Sequence, residues 1–295
     1  MKKFILLLTA LLVLFSSAAL ADGRVYRAGD TEPFPEGTET FDLYVCPLLG
    51  ADSMVLLCGD EVMMVDMGKK KDYPAIKEVL DGLGITKIDI AFNTHPHDDH
   101  LGSMRQIAAD YEVAQFYTAF PENFTGDSVI QAPTLKELKK LNIPVDRIRD
   151  GDTLTLGGAM MEVIQQEYYK KPNPRAAMLK ITFGECTILL TGDVIGGAQK
   201  LLADTKDLKA DIVKFPHHGL TPMGREFLAD IAPEYAVFTH GYKNTLNSQK
   251  QLDKAGVDYD FATWGTIHLS TDGEKWIVEQ ELTEEGIRYT EKYRK

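Results

Sequence analysis

Thr94-His95-Pro96-His97-Asp98-Asp99-His100 packs three imidazoles and two carboxylates into seven residues. Such a density of ionisable groups is costly in a core and has no packing use on a plain surface. Imidazole nitrogens together with carboxylate oxygens form a donor set that suits Zn, Mn or Fe. The apolar run 88–92 just before it reads as a strand, and a helical pattern runs from about 101 to 109 after it. A strand therefore delivers a histidine-rich loop that can aim several donors at one point. His95 and His97 can face one metal while Asp99 and His100 face another.

Working outward, the chain has seven histidines, and five of them fall in two short clusters, the second being His217-His218. Upstream, β-type runs at 41–48, 54–58 and 61–66 are separated by Gly50 and Gly59-Asp60, the pattern of an antiparallel meander. A helical pattern over 73–83 stops at Gly84. Downstream come a strand near 113–118, a loop over 121–133, a short helix at 135–141, and β-type runs at 145–148, 153–156 and 160–165. Residues 167–175 are polar, and strands resume at 177–183 and 186–191, the second ending in Gly192-Asp193. Helices at 197–203, 224–231 and 248–255 then alternate with strands at 212–215 and 235–239, and strands near 261, 267–270 and 276–280 close the chain. No short-period repeat or low-complexity segment interrupts this order.

The spacing His-x-His-x-Asp-His resembles the signature of the metallo-β-lactamase fold superfamily, and Val65-Asp66-Met67-Gly68 resembles that family's first motif. Leu189-Leu190-Thr191-Gly192-Asp193 and Lys214-Phe215-Pro216-His217-His218-Gly219 are similar to later motifs of the hydrolase domain of ComEC-like competence proteins, as is the stretch from Gly265-Thr266-Ile267 to Thr271-Asp272-Gly273. The resemblance covers most of the chain and implies an α/β fold, a four-layer αββα sandwich with one or two divalent metal ions, zinc first and Mn or Fe as alternatives, at one edge between the sheets.

The resemblance also implies roles residue by residue. His95, His97, Asp99 and His100 are metal ligands, Asp193 is the bridging carboxylate, and one of His217 and His218 is the last ligand of the second site. Asp66 orients the histidine loop, because metal-bound imidazoles usually give their other N–H to such a partner. One departure stands out: no histidine occurs from residue 101 through 216, so the first site lacks its usual third imidazole and is expected to bind more weakly. Asn173 stands in a segment similar to the polar stretch of ComEC-like relatives, and it either contacts metal-held water or substrate or makes a plain turn. Lys214 and Asn244 are candidates to contact an anionic substrate. His240 is a candidate proton donor or substrate contact, whereas His268, alternating with Ile267 and Leu269, reads as structural.

Composition bounds the partners. The 295 residues carry 32 basic and 44 acidic side chains, a formal charge of −12. Lys2-Lys3, an apolar run over 4–15 and Ala19-Leu20-Ala21 read as a cleaved signal peptide over residues 1–21, leaving a hydrolase domain over 22–295. The apolar run is shorter than the ~20 residues that span a bilayer, so no stable membrane span is expected after cleavage. Cleavage removes two lysines and no acid, taking the charge to −14. A chain this acidic repels long polyanions unless bound metal reverses the local field, which disfavours nucleic acid as a partner. Of the three cysteines, Cys46 and Cys58 are the candidates for a disulfide, with three free thiols as the alternative.

Divalent ions lower the pKa of a water they hold from about 15.7 toward 7, so hydrolysis needs no protein nucleophile. Neither a Gly-x-Ser-x-Gly elbow nor a papain-like cysteine motif is present. The expectation is a secreted or periplasmic, cell-envelope metal-dependent hydrolase acting on phosphodiesters or related phosphate esters, DNA included. Asp99 is expected to accept a proton as well as ligate. The competing readings are a β-lactamase-type amide hydrolase and a non-catalytic metal-binding envelope module.

Overall fold

Two sheets pack face to face, and each owes its depth in the molecule to strands that are apolar on both faces. The computed structural model describes residues 23–293, so the expected signal peptide lies outside the described residues. A nine-stranded sheet runs in the order Val25–Arg27, Trp276–Leu282, Gly265–Thr271, Phe41–Val45, Ser53–Cys58, Glu61–Met67, Ile90–Asn93, Phe116–Thr118, Val145–Arg147. A seven-stranded sheet runs Thr153–Leu156, Ala159–Ile164, Met178–Phe183, Cys186–Leu190, Ile212–Lys214, Tyr235–Phe238, Asp258–Phe261.

Alternation decides which layer each side chain joins, because neighbours along a strand point to opposite faces. In Glu61–Met67, Met63 and Val65 enter the core between the sheets with Leu56, Leu179, Ile188 and Leu190. Met64 faces outward, toward Ile76 and Leu80 of helix Tyr73–Gly82, Ile107 of Met104–Asp110 and Leu138 of Gln131–Lys140. The other sheet repeats this: Tyr235 and Val237 point inward, while Ala236 and Phe238 meet Leu202, Phe227 and Leu252 from helices Gly197–Thr205, Arg225–Ile231 and Leu246–Ala255. The outcome is the expected αββα sandwich, with each buried Leu, Ile or Phe contributing about 1.5–3 kcal/mol.

The expected meander is present, Phe41–Val45, Ser53–Cys58 and Glu61–Met67 pairing antiparallel in turn. Its register separates the two cysteines. Cys46 lies beside Ser53 and Cys58 pairs with Phe41, at opposite ends of the hairpin, so no disulfide joins them and all three thiols are free and buried. Burial alone pushes the Cys46 thiol up to about 12, which makes it inert. Elements not expected from sequence include Val25–Arg27, which pairs parallel to Trp276–Leu282, the helix Glu284–Tyr293 and the single helical turn Pro172–Arg175. Among the described residues no helix is long and apolar enough to cross a membrane.

Parallel pairing positions the functional loops. Glu61–Met67 runs parallel to Ile90–Asn93, and Cys186–Leu190, Ile212–Lys214 and Tyr235–Phe238 run parallel to one another. Their carboxyl ends therefore share one edge of the sandwich, where open α/β sheets characteristically present ligand-binding loops. The residues that follow those ends are the histidine loop, Asp193, His217-His218 and His240.

Candidate metal centre

Local backbone conformation aims the donors before any packing does. Asp66, His217 and His218 all have left-handed backbones, with φ of 57°, 51° and 56°. Each such residue costs of order 1 kcal/mol or more and persists only where its surroundings enforce it. At Gly219 (φ 91°) a Cβ would lie 2.2 Å from the Phe238 ring, so only glycine lets the chain turn there after the histidine pair.

The donors converge on Asp193. Its Oδ1 is 3.3 Å from His100 Nε2 and 3.6 Å from His218 Nε2. Its Oδ2 is 3.6 Å from His95 Nε2 and 4.0 Å from His217 Nε2, and it accepts a 3.3 Å bond from the Asn173 amide. Asp99 closes the Oδ1 side, its carboxylate 3.5 Å from His218 Nε2 and 3.8 Å from His100 Nε2. The two oxygens of Asp193 thus face two adjoining donor sets, Oδ1 with Asp99, His100 and His218 and Oδ2 with His95 and His97, and His95 also lies within 4.8 Å of the donors of Asp99 and His100. His218 is the member of the pair that belongs with Asp99 and His100. His217 reaches toward the other oxygen.

A divalent metal fits this donor set on a specific ground. His100 Nε2, His218 Nε2 and Asp193 Oδ1 are buried, face one another and have no hydrogen-bond partner among the described residues. Buried polar atoms are almost always satisfied, and three orphans converging on one point are satisfied together by a cation. His95, His97 and Asp193 likewise bring donor atoms within 4.8 Å of one another.

Electrostatics follow from the packing. Burial would push the Asp193 carboxyl up, yet the neighbouring His218 and His100 outweigh it and hold the group ionised, well below the usual range. Burial disfavours a charge on His100 and His218 too, but Asp193 with Asp66 raises the first and Asp193 with Asp52 raises the second. His95, His97 and His217 are lowered, chiefly by burial, and stay neutral and ready to ligate.

Asp66 lies behind the His100 ring. Its Oδ2 is 2.7 Å from His100 Nδ1, and the carboxylate is held by the Thr94 amide (2.8 Å), the Thr94 hydroxyl (2.7 Å) and Asn93 Nδ2 (3.0 Å). Asn173 contacts the shared carboxylate itself. His240 is half-buried beside Gly50 and Lys69, its Nδ1 accepting the Gly241 N–H at 2.7 Å. Burial, then the neighbouring His218 and Lys69, lowers it, so its ring is neutral near pH 7 and ill suited to donate a proton as an imidazolium.

One expectation needs correction. Lys214 cannot meet a substrate: it is 1% exposed, and its ammonium forms a buried ion pair with Asp52. Asn244 is exposed at the end of the turn Tyr242–Asn244 that follows His240 and Gly241. The sequence reading also missed Asp52, whose Oδ1 is 3.0 Å from His218 Nδ1 and accepts the Thr239 hydroxyl at 2.6 Å. Asp52 lies within 4.8 Å of the donors of His100, Asp193 and His218. Because it faces the Nδ1 side of the rings and is neutralised by Lys214, it backs the pocket. The available signal was its position: Ser53–Cys58 runs antiparallel to Glu61–Met67, so the residue before Ser53 falls at the edge where Asp66 lies.

With the geometry in place, comparison with known proteins gives a consistent picture. The sequence model of the metallo-beta-lactamase superfamily matches residues 46–247. ComE operon protein 3 of Bacillus subtilis (strain 168) is 24% identical over 179 residues, 58% of this chain and 22% of that protein, so the chain spans about a fifth of the relative's length. Among solved structures, CmlA, a diiron beta-hydroxylase from Streptomyces venezuelae, superposes with a TM-score of 0.52 at 14% identity, covering 79% of this chain and 54% of that one. The metallo-beta-lactamase fold protein YhfI from Bacillus subtilis gives 0.48 at 12% identity, covering 76% and 96%. Fold, donor set and sequence match agree: the chain belongs to the metallo-beta-lactamase superfamily, whose members are generally metal-dependent hydrolases.

Proposed function

We propose that this protein is an exported metal-dependent phosphodiesterase of the cell envelope, working as one catalytic unit over residues 22–295. The observation that carries the hydrolase reading is the convergence of His100 Nε2, His218 Nε2 and Asp193 Oδ1, buried and otherwise unpaired. When bound, divalent ions supply an activated water and polarise the electrophilic oxygen. Zinc suits the mixed imidazole and carboxylate donors, with Mn and Fe as the alternatives a metal analysis distinguishes.

The chain's own residues do the rest. Asp193 shares its two oxygens between the pockets, and Asp66 and Asp52 fix the His100 and His218 rings. Asp99, the ligand-side carboxylate with 23% of its side chain exposed, is held ionised as His218 beside it overcomes the effect of burial. It is placed to take a proton from the solvent side. His240 and Lys69 stand together beside Gly50 and offer a neutral imidazole and a cation to an anionic substrate.

The phosphodiester class is supported by the resemblance to ComEC-like hydrolase domains, and export by the signal-like residues 1–21. The acidic surface favours a small phosphodiester or a short single strand over long duplex. The test is hydrolysis of bis(p-nitrophenyl) phosphate, single-stranded DNA and a chromogenic cephalosporin, with and without Zn²⁺ or Mn²⁺. Metal-dependent turnover of a phosphodiester, lost in Asp193→Ala, is the expected result. Turnover of the cephalosporin alone would replace this reading with the amide hydrolase, and metal binding without turnover of any ester would leave a binding module.

A further inference from the structure

The two pockets on Asp193 are built differently, and the difference lies behind the ligands. In the pocket of Asp99, His100 and His218, both imidazoles are clamped at Nδ1 by buried carboxylates, Asp66 at 2.7 Å and Asp52 at 3.0 Å. Each clamp is itself held. Asp66 takes three bonds from Asn93 and Thr94, and Asp52 takes the Thr239 hydroxyl and the Lys214 ammonium. Asp52 also lies 3.8 Å from His100 Nδ1, so it sits behind both rings at once. Carboxylate backing fixes the tautomer and ring direction and makes the imidazole a better ligand.

The other pocket has no such support. His95 Nδ1 meets only the Thr94 hydroxyl, at 3.2 Å, and among the described residues no carboxylate within ion-pair distance backs His97. The ligand atoms His95 Nε2 and His97 Nδ1 are 3.1 Å apart and contact each other in place of a buried carboxylate. Asp193 Oδ2, their common carboxylate oxygen, is already engaged by Asn173.

Building on the metal-centre reading above, we infer that the centre fills in a fixed order, the Asp99–His100–His218 pocket first and the His95–His97 pocket later and more weakly, and that Asp52 is the positioning residue that sets this order. Lys214 makes the arrangement tenable by neutralising Asp52, so that a third carboxylate can sit beneath the centre without repelling Asp193 and Asp66.

The experiment is equilibrium dialysis of the metal-free mature protein against Zn²⁺, with bound metal measured directly. Two classes of site are expected, the first at least about 10-fold tighter than the second. Asp52→Asn keeps the shape but not the charge, and is expected to weaken the tight class by about 10–100-fold while leaving the weak class in place. His97→Ala is expected to remove the weak class alone. Because Asp52→Asn also leaves the Lys214 ammonium buried without its partner charge, Thr239→Val, which removes a hydroxyl in contact with both Asp52 and His218 Nδ1, serves as the milder variant, with a smaller loss confined to the tight class. Metal-free melting temperature accompanies each variant. Two equal classes, loss of the tight class in His97→Ala, or a lowered melting temperature with unchanged affinity in both Asp52→Asn and Thr239→Val would overturn the inference. Failure of the unaltered protein to bind any metal would instead overturn the metal-centre reading itself.

Discussion

Two Asp–His pairs in this molecule share the same contact distance and differ in everything else. Asp66–His100 and Asp42–His268 each bring a carboxylate oxygen 2.7 Å from a ring nitrogen. The first is fully buried at the edge where the parallel strands end, and its remaining nitrogen faces Asp193. The second lies on the outer face of the nine-stranded sheet, 28% and 19% exposed, with the His268 ring stacked on Tyr44 at 4.2 Å. Tyr44 and His268 are direct cross-strand partners, so that pair is explained by sheet packing. What distinguishes a functional dyad is what the other nitrogen of the ring meets, since the Asp–His contact is the same in both.

The largest expected effect tests that distinction at its centre. Asp193→Ala or His100→Ala should lower metal-dependent turnover by roughly 10³-fold or more with circular dichroism unchanged, whereas His268→Ala should leave turnover within about twofold. Equal losses in the two regions would erase the contrast. Next in size is the buried ion pair under the centre. Lys214→Ala strands the Asp52 charge and should cost about 3–5 kcal/mol in denaturant unfolding, whereas the exposed Lys140→Ala, whose partner is Glu137, should leave the unfolding midpoint essentially unchanged.

Removing the clamping charge from each dyad sharpens the comparison further. Asp66→Asn should weaken metal binding about 10–100-fold, while Asp42→Asn should not change it. The smallest effect is confined to the outer pair and depends on pH. Burial would raise the Asp42 carboxyl, but bonds from His268, Ser270 and Thr40 outweigh it and lower it below its ordinary value. A lowered folded-state value stabilises above the unfolded pKa of about 3.9 and is lost as pH falls through the folded one. The stability gap between wild type and Asp42→Asn, about 0.2–1 kcal/mol near neutrality, should therefore close below about pH 4, as followed by urea unfolding at each pH.

The histidine cluster was legible because its chemistry is local: His95, His97, Asp99 and His100 sit within six residues. Asp193, the histidine pair and Asp66 were singled out by their resemblance to the motifs of a known family, since each stands far along the chain from the others. The strands buried on both faces were legible as near-continuous apolar runs, whereas Val25–Arg27, three half-buried residues, carries too little pattern, and Glu284–Tyr293 has an amphipathic pattern that its low mean hydropathy obscures. Lys214, read from resemblance as a substrate contact, was misplaced because a lysine side chain ordinarily reaches solvent. Its partner Asp52 stands 162 residues earlier, and nothing in either segment announces the other.

By itself, then, the amino-acid sequence determined the donor types and the order of strands and helices, since strand periodicity and short-range spacing are properties of neighbouring residues, while its resemblance to a known family supplied the fold class and the edge of the sandwich at which the donors gather. The tertiary structure alone decided which oxygen of Asp193 each histidine faces, that His218 and not His217 joins Asp99 and His100, and that Lys214 supports the centre from below. Those outcomes depend on left-handed backbone at His217 and His218 and on contacts between the two sheets, which arise only when distant segments are packed against each other.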